Sequence, residues 1–332
     1  MDTQIKTTET ILAPGLTLRP ASWADLEPVR QLILDVCIAD GDATVAVTSE
    51  ELAREWKSPG FELEKDVWIV ETAEGRVVGY EEFNNRHAHV SLMGDGYVHP
   101  EFKGLGIGTA MLGALEARAR EEMKLAEPDL RVFIRNGMMA GDAVSCQMHA
   151  TEGYCPIRFS WHMEIKLDGP PPVPAWPAGI ELRPFEMKRD DHAVFEAHEE
   201  AFSDHWGHTP GTYEHWQHHV SGREDFDPTL WFIAWDGAQI AGYCLCRYRM
   251  GHGWVGTLGV RRAWRKRGLG EALLLHSFGE FYRRGMKTIG LGVDAANPTG
   301  ATRLYKKAGM YVAAEYVIYE KELRPGRDVE EE

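Results

Sequence analysis

The sequence predicts an α+β fold that is built twice, as two tandem domains that each hold a mixed, mostly antiparallel sheet flanked by helices. Short motifs recur in the same order about 160 residues apart. LTLRP at 16–20 returns as IELRP at 180–184, and Trp68 in a strand-like segment matches Trp231. Motifs that keep their order and spacing indicate a duplicated domain with short insertions.

A proline-rich segment separates the two copies. DGPPPVPAWPAG, residues 168–179, contains five prolines. Proline lacks a backbone N–H and fixes φ, so this segment fits neither a helix interior nor a central strand and is typical of an extended linker. The domains are therefore expected at 1–167 and 180–332.

Each copy repeats one order of elements: strand, helix, hairpin, strand, glycine loop with its helix, strand, short helix and final strand. The first copy has them at 16–20, 22–39, 73–76 (the hairpin turn), 90–98, 106–122, 130–135, 142–152 and 154–167. The second copy has them at 180–184, 189–202, 236–239 (the turn), 253–260, 268–285, 287–293, 298–308 and 310–323.

Composition narrows the class of partner. The chain has 332 residues and a formal charge of −15, which argues against nucleic acid because phosphate backbones attract basic faces. The basic segment RRAWRKR at 261–267 stands out and indicates a small anionic ligand. The N-terminal residues resemble no secretory signal, and no apolar run is long enough to span a membrane. We therefore expect no membrane partner and a cytoplasmic location.

The five cysteines have irregular spacing and predict no disulfide framework. Cys244 and Cys246 lie two apart on an expected strand and would share one face. We interpret them as reduced thiols of the core.

The glycine loop of the second copy has the composition of an anion site. Gly268 and Gly270 open a helix whose first N–H groups lack partners, and Arg265 and Arg267 add positive charge. The loop lacks the Gly-Lys-Ser/Thr ending of a Walker motif. It also follows the fourth expected strand, whereas a dinucleotide-binding loop follows the first.

Two motifs together carry a family resemblance. Val260, Arg265, Gly268 and Gly270 satisfy Val-x-x-x-x-Arg-x-x-Gly-x-Gly. Further on, NPTGATRLYKKAGM places an asparagine, alanine, leucine, tyrosine and glycine at the spacing of a second motif, at Asn297, Ala301, Leu304, Tyr305 and Gly309. The chain resembles the GNAT superfamily of N-acetyltransferases, and the repeat extends this resemblance to two tandem GNAT domains.

The resemblance implies acetyl-coenzyme A as co-substrate, no metal, and a small-molecule amine as acceptor. Tyr305 would protonate the departing thiolate; the alternative is a tyrosine that only packs in the core. The cofactor-binding residues implied in the second copy are Leu258, Gly259, Val260, Arg265, Lys266, Arg267, Gly268, Leu269, Gly270, Asn297 and Ala301. Those implied in the first copy are Val98, Lys103, Gly104, Leu105, Gly106, Ile107 and Gly108.

The first copy lacks the tyrosine. His149 stands at that position, and Gly141 and Met148 replace the asparagine and leucine. The first domain could bind coenzyme A without turnover, use His149 as a substitute acid, or serve only the fold. We expect binding or a structural role, and we place the chemistry in the second domain.

The acceptor side of the second copy is less defined. Its pre-loop strand at 252–260 has no Asp or Glu, which leaves His252 or the segment 201–220 as sources of a base. Asp204, His205 and Trp206 are expected to line the substrate site. His215 and His219 have i, i+4 spacing, but without a HExxH glutamate we interpret them as a solvated polar face and expect no metal.

These observations predict an N-acetyltransferase that acts by direct attack of a primary amine on the thioester, as a monomer with an internal pseudo-dimer or as a homodimer. Two alternatives stay open. One is acetylation of a cysteinyl pseudodisaccharide, as in the two-domain mycothiol synthases, although Trp254 stands where an acid is expected. The other is a non-enzymatic acyl-coenzyme A sensor.

Overall fold

A computed structural model describes residues 12–206, 211–220 and 226–329. The chain forms two compact units. The first holds the residues up to Arg158 together with Tyr316–Val329, and the second holds Phe159–Glu315.

The first unit contains a mixed sheet with helices on its faces. Its elements are β1 (Leu16–Pro20), α1 (Leu26–Asp40), α2 (Ser49–Glu55), α3 (Leu63–Asp66), β2 (Val67–Thr72), β3 (Val77–His87), β4 (Ser91–Val98), α4 (Ile107–Glu122), β5 (Val132–Met139) and α5 (Ala143–Thr151). Strands β1 to β4 pair antiparallel in chain order. β4 pairs with β5 in parallel, from Ser91 opposite Phe133 to Gly94 opposite Asn136.

The second unit repeats this plan. After β6 (Cys155–Lys166) its elements are β7 (Ile180–Pro184), α6 (Asp191–Phe202), α7 (Tyr213–Val220), β8 (Trp231–Asp236), β9 (Gln239–Arg249), β10 (His252–Val260), α8 (Leu269–Arg283), β11 (Thr288–Asp294) and α9 (Ala301–Lys307). Strands β7 to β10 are antiparallel, and β10 and β11 are parallel. The predicted α+β class, with two mixed and mostly antiparallel sheets, is confirmed.

Each unit receives its sixth strand from the other half of the sequence. β12 (Tyr311–Arg324) pairs antiparallel with β5 from Tyr316 onward. β6, which closes the first sequence repeat, pairs antiparallel with β11. The compact units therefore differ from the predicted segments 1–167 and 180–332 at their last strands, while 168–179 contain no helix or strand, as expected of a linker.

A gap opens in the sheet of the second unit. The parallel pairs recorded for β10 and β11 are Gly253 with Ile289 and Trp254 with Gly290. β10 continues to Val260, and a bulge between Val255 and Thr257 interrupts its register with β9 at the same level. The end of β10 thus leaves β11 and offers backbone groups to another partner.

Several predicted element bounds change. α1 begins at Leu26 because Ser22 and Asp25 cap a short 3₁₀ turn before it. α9 begins at Ala301, not at 298, since Gly300 with φ 82° occupies the position before the helix. The short helices α2, α3 and α7 have no counterpart among the predicted elements because their apolar pattern is too brief to show a period.

Candidate active site

The helix that follows the second glycine loop starts at a backbone conformation that favours glycine. Gly268, with φ 84°, precedes α8, and a Cβ there would meet no atom within 4 Å. A Cβ on Gly270 would lie 3.4 Å from Leu304 of α9. Gly268 is thus required for its dihedral angle, and Gly270 lies at the contact of the two motif helices. Both leave the first N–H groups of α8 exposed at the positive end of the helix dipole.

Arg265 braces the loop. Its guanidinium donates to the carbonyls of Val260 and Ala201, each at 3.1 Å, and to Oδ2 of Asp204 at 3.1 Å. Asp204 also accepts from Arg262 at 2.8 Å, and Arg265 followed by Arg262 lowers the pKa of Asp204. Lys266, with φ 61°, and Arg267 are exposed. These two side chains are the cations best placed to reach a ligand.

A cavity of about 520 Å³ joins the loop to the helix that carries the tyrosine. Of the sequence-predicted residues it brings together Leu258, Gly259, Val260, Arg265, Lys266, Gly268, Leu269, Gly270, Ala301, Tyr305, Asp204 and His205. Arg267, Asn297 and Trp206 are not among its lining residues. Oδ1 of Asn297 instead accepts from the backbone N–H of Thr299 at 2.9 Å and from its hydroxyl at 2.6 Å. Asn297 therefore stabilises the turn before α9.

Tyr305 is a buried side chain that lines this cavity. Burial raises its pKa well above the usual value, and the neighbouring Cys244 adds to the rise. A phenol in this setting keeps its proton at neutral pH and can give it to a stronger base. Gly309, with φ 95°, ends α9 behind it. Cys244 and Cys246 are free and buried, with their sulfurs 3.5 Å apart.

The structure removes one expected source of the base. His252 starts β10, six residues before Leu258, which at about 3.4 Å per residue is roughly 20 Å along the strand. Its Nδ1 lies 3.8 Å from Oε1 of Glu164 on β6. His252 is thus too far from the cavity to take a proton there. Glu164 was missed because the repeat assigns β6 to the other domain.

The histidine-rich segment adds little to the site. His208 lies outside the described residues, and the same holds for the side chains of His215, His218 and His219. Within the ranges that the structure describes, no group of three or more His, Cys, Asp or Glu side chains could hold a metal ion.

The first unit has its own cavity, of about 380 Å³, at the matching loop. Val98, Lys103, Gly104, Gly106, Ile107 and Gly108 line it, whereas Leu105 is 41% exposed and does not. Nζ of Lys103 lies 3.0 Å from Oδ2 of Asp142 and 3.7 Å from Oδ1 of Asp40. The one basic side chain of this lining is thus held by two carboxylates.

His149 cannot act as the substitute acid in this arrangement. Its Nδ1 donates to the carbonyl of Ser145 at 2.9 Å, and its Nε2 lies 2.9 Å from Nδ2 of Asn136. Burial lowers the pKa of His149, so the ring is neutral, with the proton on Nδ1 and with Nε2 accepting from the amide. No proton remains on Nε2 to donate.

An exposed helix N-terminus can hold the phosphates of a carrier, and the buried phenol in the same cavity can protonate the group that the carrier becomes. An acyltransferase is the class of enzyme that this fold and site define. The model of the acetyltransferase (GNAT) family matches residues 37–135 and 192–310. The chain belongs to this family, whose members use acetyl-coenzyme A, and it is an acetyl-transferring enzyme.

The relatives span the whole chain. The mycothiol acetyltransferase of Catenulispora acidiphila is 27% identical over 321 residues, which cover 92% of this chain and 98% of the relative. That of Thermobispora bispora is 31% identical over 227 residues, covering 65% and 71%. Among solved structures, a GCN5-related N-acetyltransferase from Sphaerobacter thermophilus has a TM-score of 0.81 and 38% identity, with 96% of this chain and 99% of that chain covered.

A tandem GNAT protein from the clavulanic acid biosynthesis pathway shares the fold at a TM-score of 0.71 and 19% identity, with 94% and 100% covered. No helix in the described ranges has the length and apolar character to cross a bilayer.

Proposed function

We propose that the second unit transfers the acetyl group of acetyl-coenzyme A to the primary amine of a small molecule, with Tyr305 as the acid. The observation that carries this proposal is the position of Tyr305, which lines the same cavity as the glycine loop. The sequence repeat is best explained as two GNAT copies, 1–167 and 180–332, joined at 168–179, which have exchanged their final strands.

The N-terminus of α8 suits the pyrophosphate of coenzyme A. Its first N–H groups point outward, and Lys266 and Arg267 can add charge without breaking a recorded ion pair. Along the carrier, the backbone of Leu258, Gly259 and Val260 can pair with an extended chain because this part of β10 has left β11. Coenzyme A supplies an acetyl group activated as a thioester.

The proton balance assigns a role to Tyr305. The amine nitrogen forms a bond to the acetyl carbonyl carbon, the carbon–sulfur bond breaks, and the sulfur takes the phenolic proton. The nitrogen releases one proton, which can return to the phenolate through solvent. The raised pKa of Tyr305 supports this role, since the phenol is protonated before the reaction and its anion is a strong enough base to be reprotonated.

Asp204, His205 and Trp206 stay candidates for the acceptor side. Asp204 and His205 line the cavity, but both recorded partners of the Asp204 carboxylate are arginines of the loop segment. Asp204 is therefore as well suited to positioning Arg265 as to holding an amine. For the first unit we propose coenzyme A binding without turnover, because its loop is intact while His149 has no proton to donate.

A Tyr305→Phe variant tests the proposal. We expect kcat for acetyl transfer to fall by about 10²-fold or more, while the Kd for acetyl-coenzyme A stays within about twofold. Tyr282→Phe, a half-buried tyrosine on α8 that does not line the cavity, is the matched control and should retain activity. An unchanged kcat in Tyr305→Phe would favour a core role for this tyrosine, and no transfer by the wild type would favour an acyl-coenzyme A sensor.

A second candidate acceptor is the cysteinyl pseudodisaccharide of mycothiol synthesis. The full-length match to a mycothiol acetyltransferase favours it. An assay of thiol release with this acceptor and with simple primary amines separates the two, because a mycothiol-specific site should prefer the former by several orders of magnitude in kcat/KM. We also propose that the enzyme is cytoplasmic, as a monomer or a homodimer.

A further inference from the structure

The cavity of the first unit contains carboxyl groups that have no counterpart in the second. Glu81 of β3 and Asp95 of β4 both line it. The acidic residues of the second cavity are Asp204 and Glu271, and each is ion-paired, to Arg265 at 3.1 Å and to Lys307 at 2.6 Å. The two copies have therefore diverged in the charge of their cavities.

The Glu81 carboxyl is buried without a partner. Its side chain is in a residue only 4% exposed, and Oε1 makes no hydrogen bond among the described residues. A Cβ on Gly94 would lie 3.0 Å from Oε1, and one on Gly96 would lie 2.4 Å from Oε2. The carboxyl thus lies against the backbone of β4, in room that two glycines provide.

A second unpartnered acceptor faces the same point. Asn136 of β5 is 6% exposed, and its amide nitrogen is taken by His149, while Oδ1 has no hydrogen-bond partner in the described chain. Oδ1 would lie 2.7 Å from a Cβ on Gly94, the point that Oε1 of Glu81 also approaches. Two buried acceptors from β3 and β5 therefore converge beside β4. An unmade hydrogen bond of this kind costs about 1–3 kcal/mol, so a donor at this point would be stabilising.

The missing donor should carry positive charge. Asp95 lies on the same wall and accepts from the hydroxyl of Tyr97 at 3.3 Å. Lys103 is the basic side chain of the lining, and its ammonium group is engaged by Asp142 and Asp40. A primary ammonium has three N–H donors and no acceptor, which matches what this wall presents.

We propose that the first-unit cavity binds a small molecule through a primary ammonium group, which donates to Glu81 and Asn136 and lies beside the carboxylate of Asp95. A volume of about 380 Å³ suits a small ligand. Apolar lining from Met111, Leu112, Met138 and Met148 suits a carbon skeleton. The described carboxyls form no metal-binding group, which favours an organic cation over a metal ion. This site is separate from the acceptor site proposed for the second unit and does not depend on it.

The test is calorimetric titration of the full chain with 1,4-diaminobutane, using 1,4-butanediol as the uncharged control of equal length. We expect the diamine to bind at least tenfold more tightly than the diol, and Glu81→Gln and Asp95→Asn each to weaken it by tenfold or more. Glu64→Gln, an exposed carboxylate of α3 in the same unit, makes the same change of charge and should leave the Kd unchanged. Tyr305→Phe should also leave it unchanged, which keeps this outcome distinct from that of the second unit.

Two results would overturn the proposal. One is a diamine that binds no better than the diol. The other is equal binding in wild type and Glu81→Gln, since Gln can replace a protonated Glu81 that merely donates to Asn136. Titration in two buffers of different ionisation enthalpy gives a readout that needs no variant. Because an ammonium group favours the ionised carboxyl, binding near neutral pH should release a proton, and a release of zero contradicts the proposal.

Discussion

Arg265 donates a hydrogen bond to Asp204 over 3.1 Å, and the same guanidinium holds the backbone carbonyls of Val260 and Ala201. The arginine of the cofactor motif therefore ties the end of β10 to the end of α6. It positions the loop, while the charge offered to a ligand comes from its neighbours.

This division of roles separates the effects of two substitutions. We expect Arg265→Ala to lower the free energy of unfolding by about 1–3 kcal/mol, because three acceptors lose their donor. Lys266→Ala combined with Arg267→Ala should leave stability within about 0.5 kcal/mol but raise the Kd for coenzyme A about tenfold. Denaturant unfolding and calorimetric titration measure the two quantities. A large loss of stability in the double variant would contradict the assignment.

Glu81 makes the stability of the chain depend on pH. Burial raises its pKa well above the usual value of 4.5, with the charges of Asp95 and Glu82 adding to the rise. A raised folded-state pKa means that the contribution of Glu81 is fully present below its unfolded pKa and is lost as the pH rises through the folded value. Solvent in the cavity reaches Asp95, which moderates the desolvation that raises its pKa to about 6.

Glu81→Gln removes this loss. We expect its Tm to exceed that of the wild type at about pH 8 and the difference to shrink toward about pH 4.5, where the native carboxyl is protonated in both states. Thermal unfolding across this range, with Glu64→Gln as the control, gives the measurement. A constant difference at all pH values would show that Glu81 does not titrate between the two states.

Gly259 is required for packing. A Cβ there would lie 2.4 Å from the ring and hydroxyl of Tyr243, which is completely buried. We expect Gly259→Ala to cost about 1–3 kcal/mol, because the ring must move within a close-packed core. Gly113→Ala, in the interior of α4 with nothing within 4 Å of the added Cβ, should instead stabilise by about 0.5–1 kcal/mol. Chemical denaturation compares the two, and equal effects would be inconsistent with a steric cause.

The origin of the sixth strand predicts how fragments behave. A fragment ending at residue 167 keeps β5 but lacks β12, so β5 would present an unpaired edge. We expect this fragment to aggregate, and we expect a peptide of residues 311–329 added in trans to restore a soluble form with strand content. Size-exclusion chromatography and circular dichroism follow both outcomes. A monodisperse, folded fragment without the peptide would contradict this expectation.

Much of the fold was readable in the sequence because the repeat, the hairpin turns and the motif spacing are local properties. The partner of β12 was not, since β5 is equally suitable for the final strand of either copy and only packing decides between them. The site divides in the same way. Tyr305 and the loop lie in contiguous motifs, whereas Glu81 and Asn136 come from separate strands and meet only because Gly94 leaves room for both.

The chain order of the strands also sets the order in which the units can be completed. Arg135 of β5 bonds to Glu320 of β12, a residue 185 positions later. Contacts this distant in sequence close large loops and slow folding. During synthesis, the first unit must wait for its last strand until the whole second unit has been made, whereas β6 is available before β11 appears. We therefore expect the second unit to mature first, although it comes later in the chain.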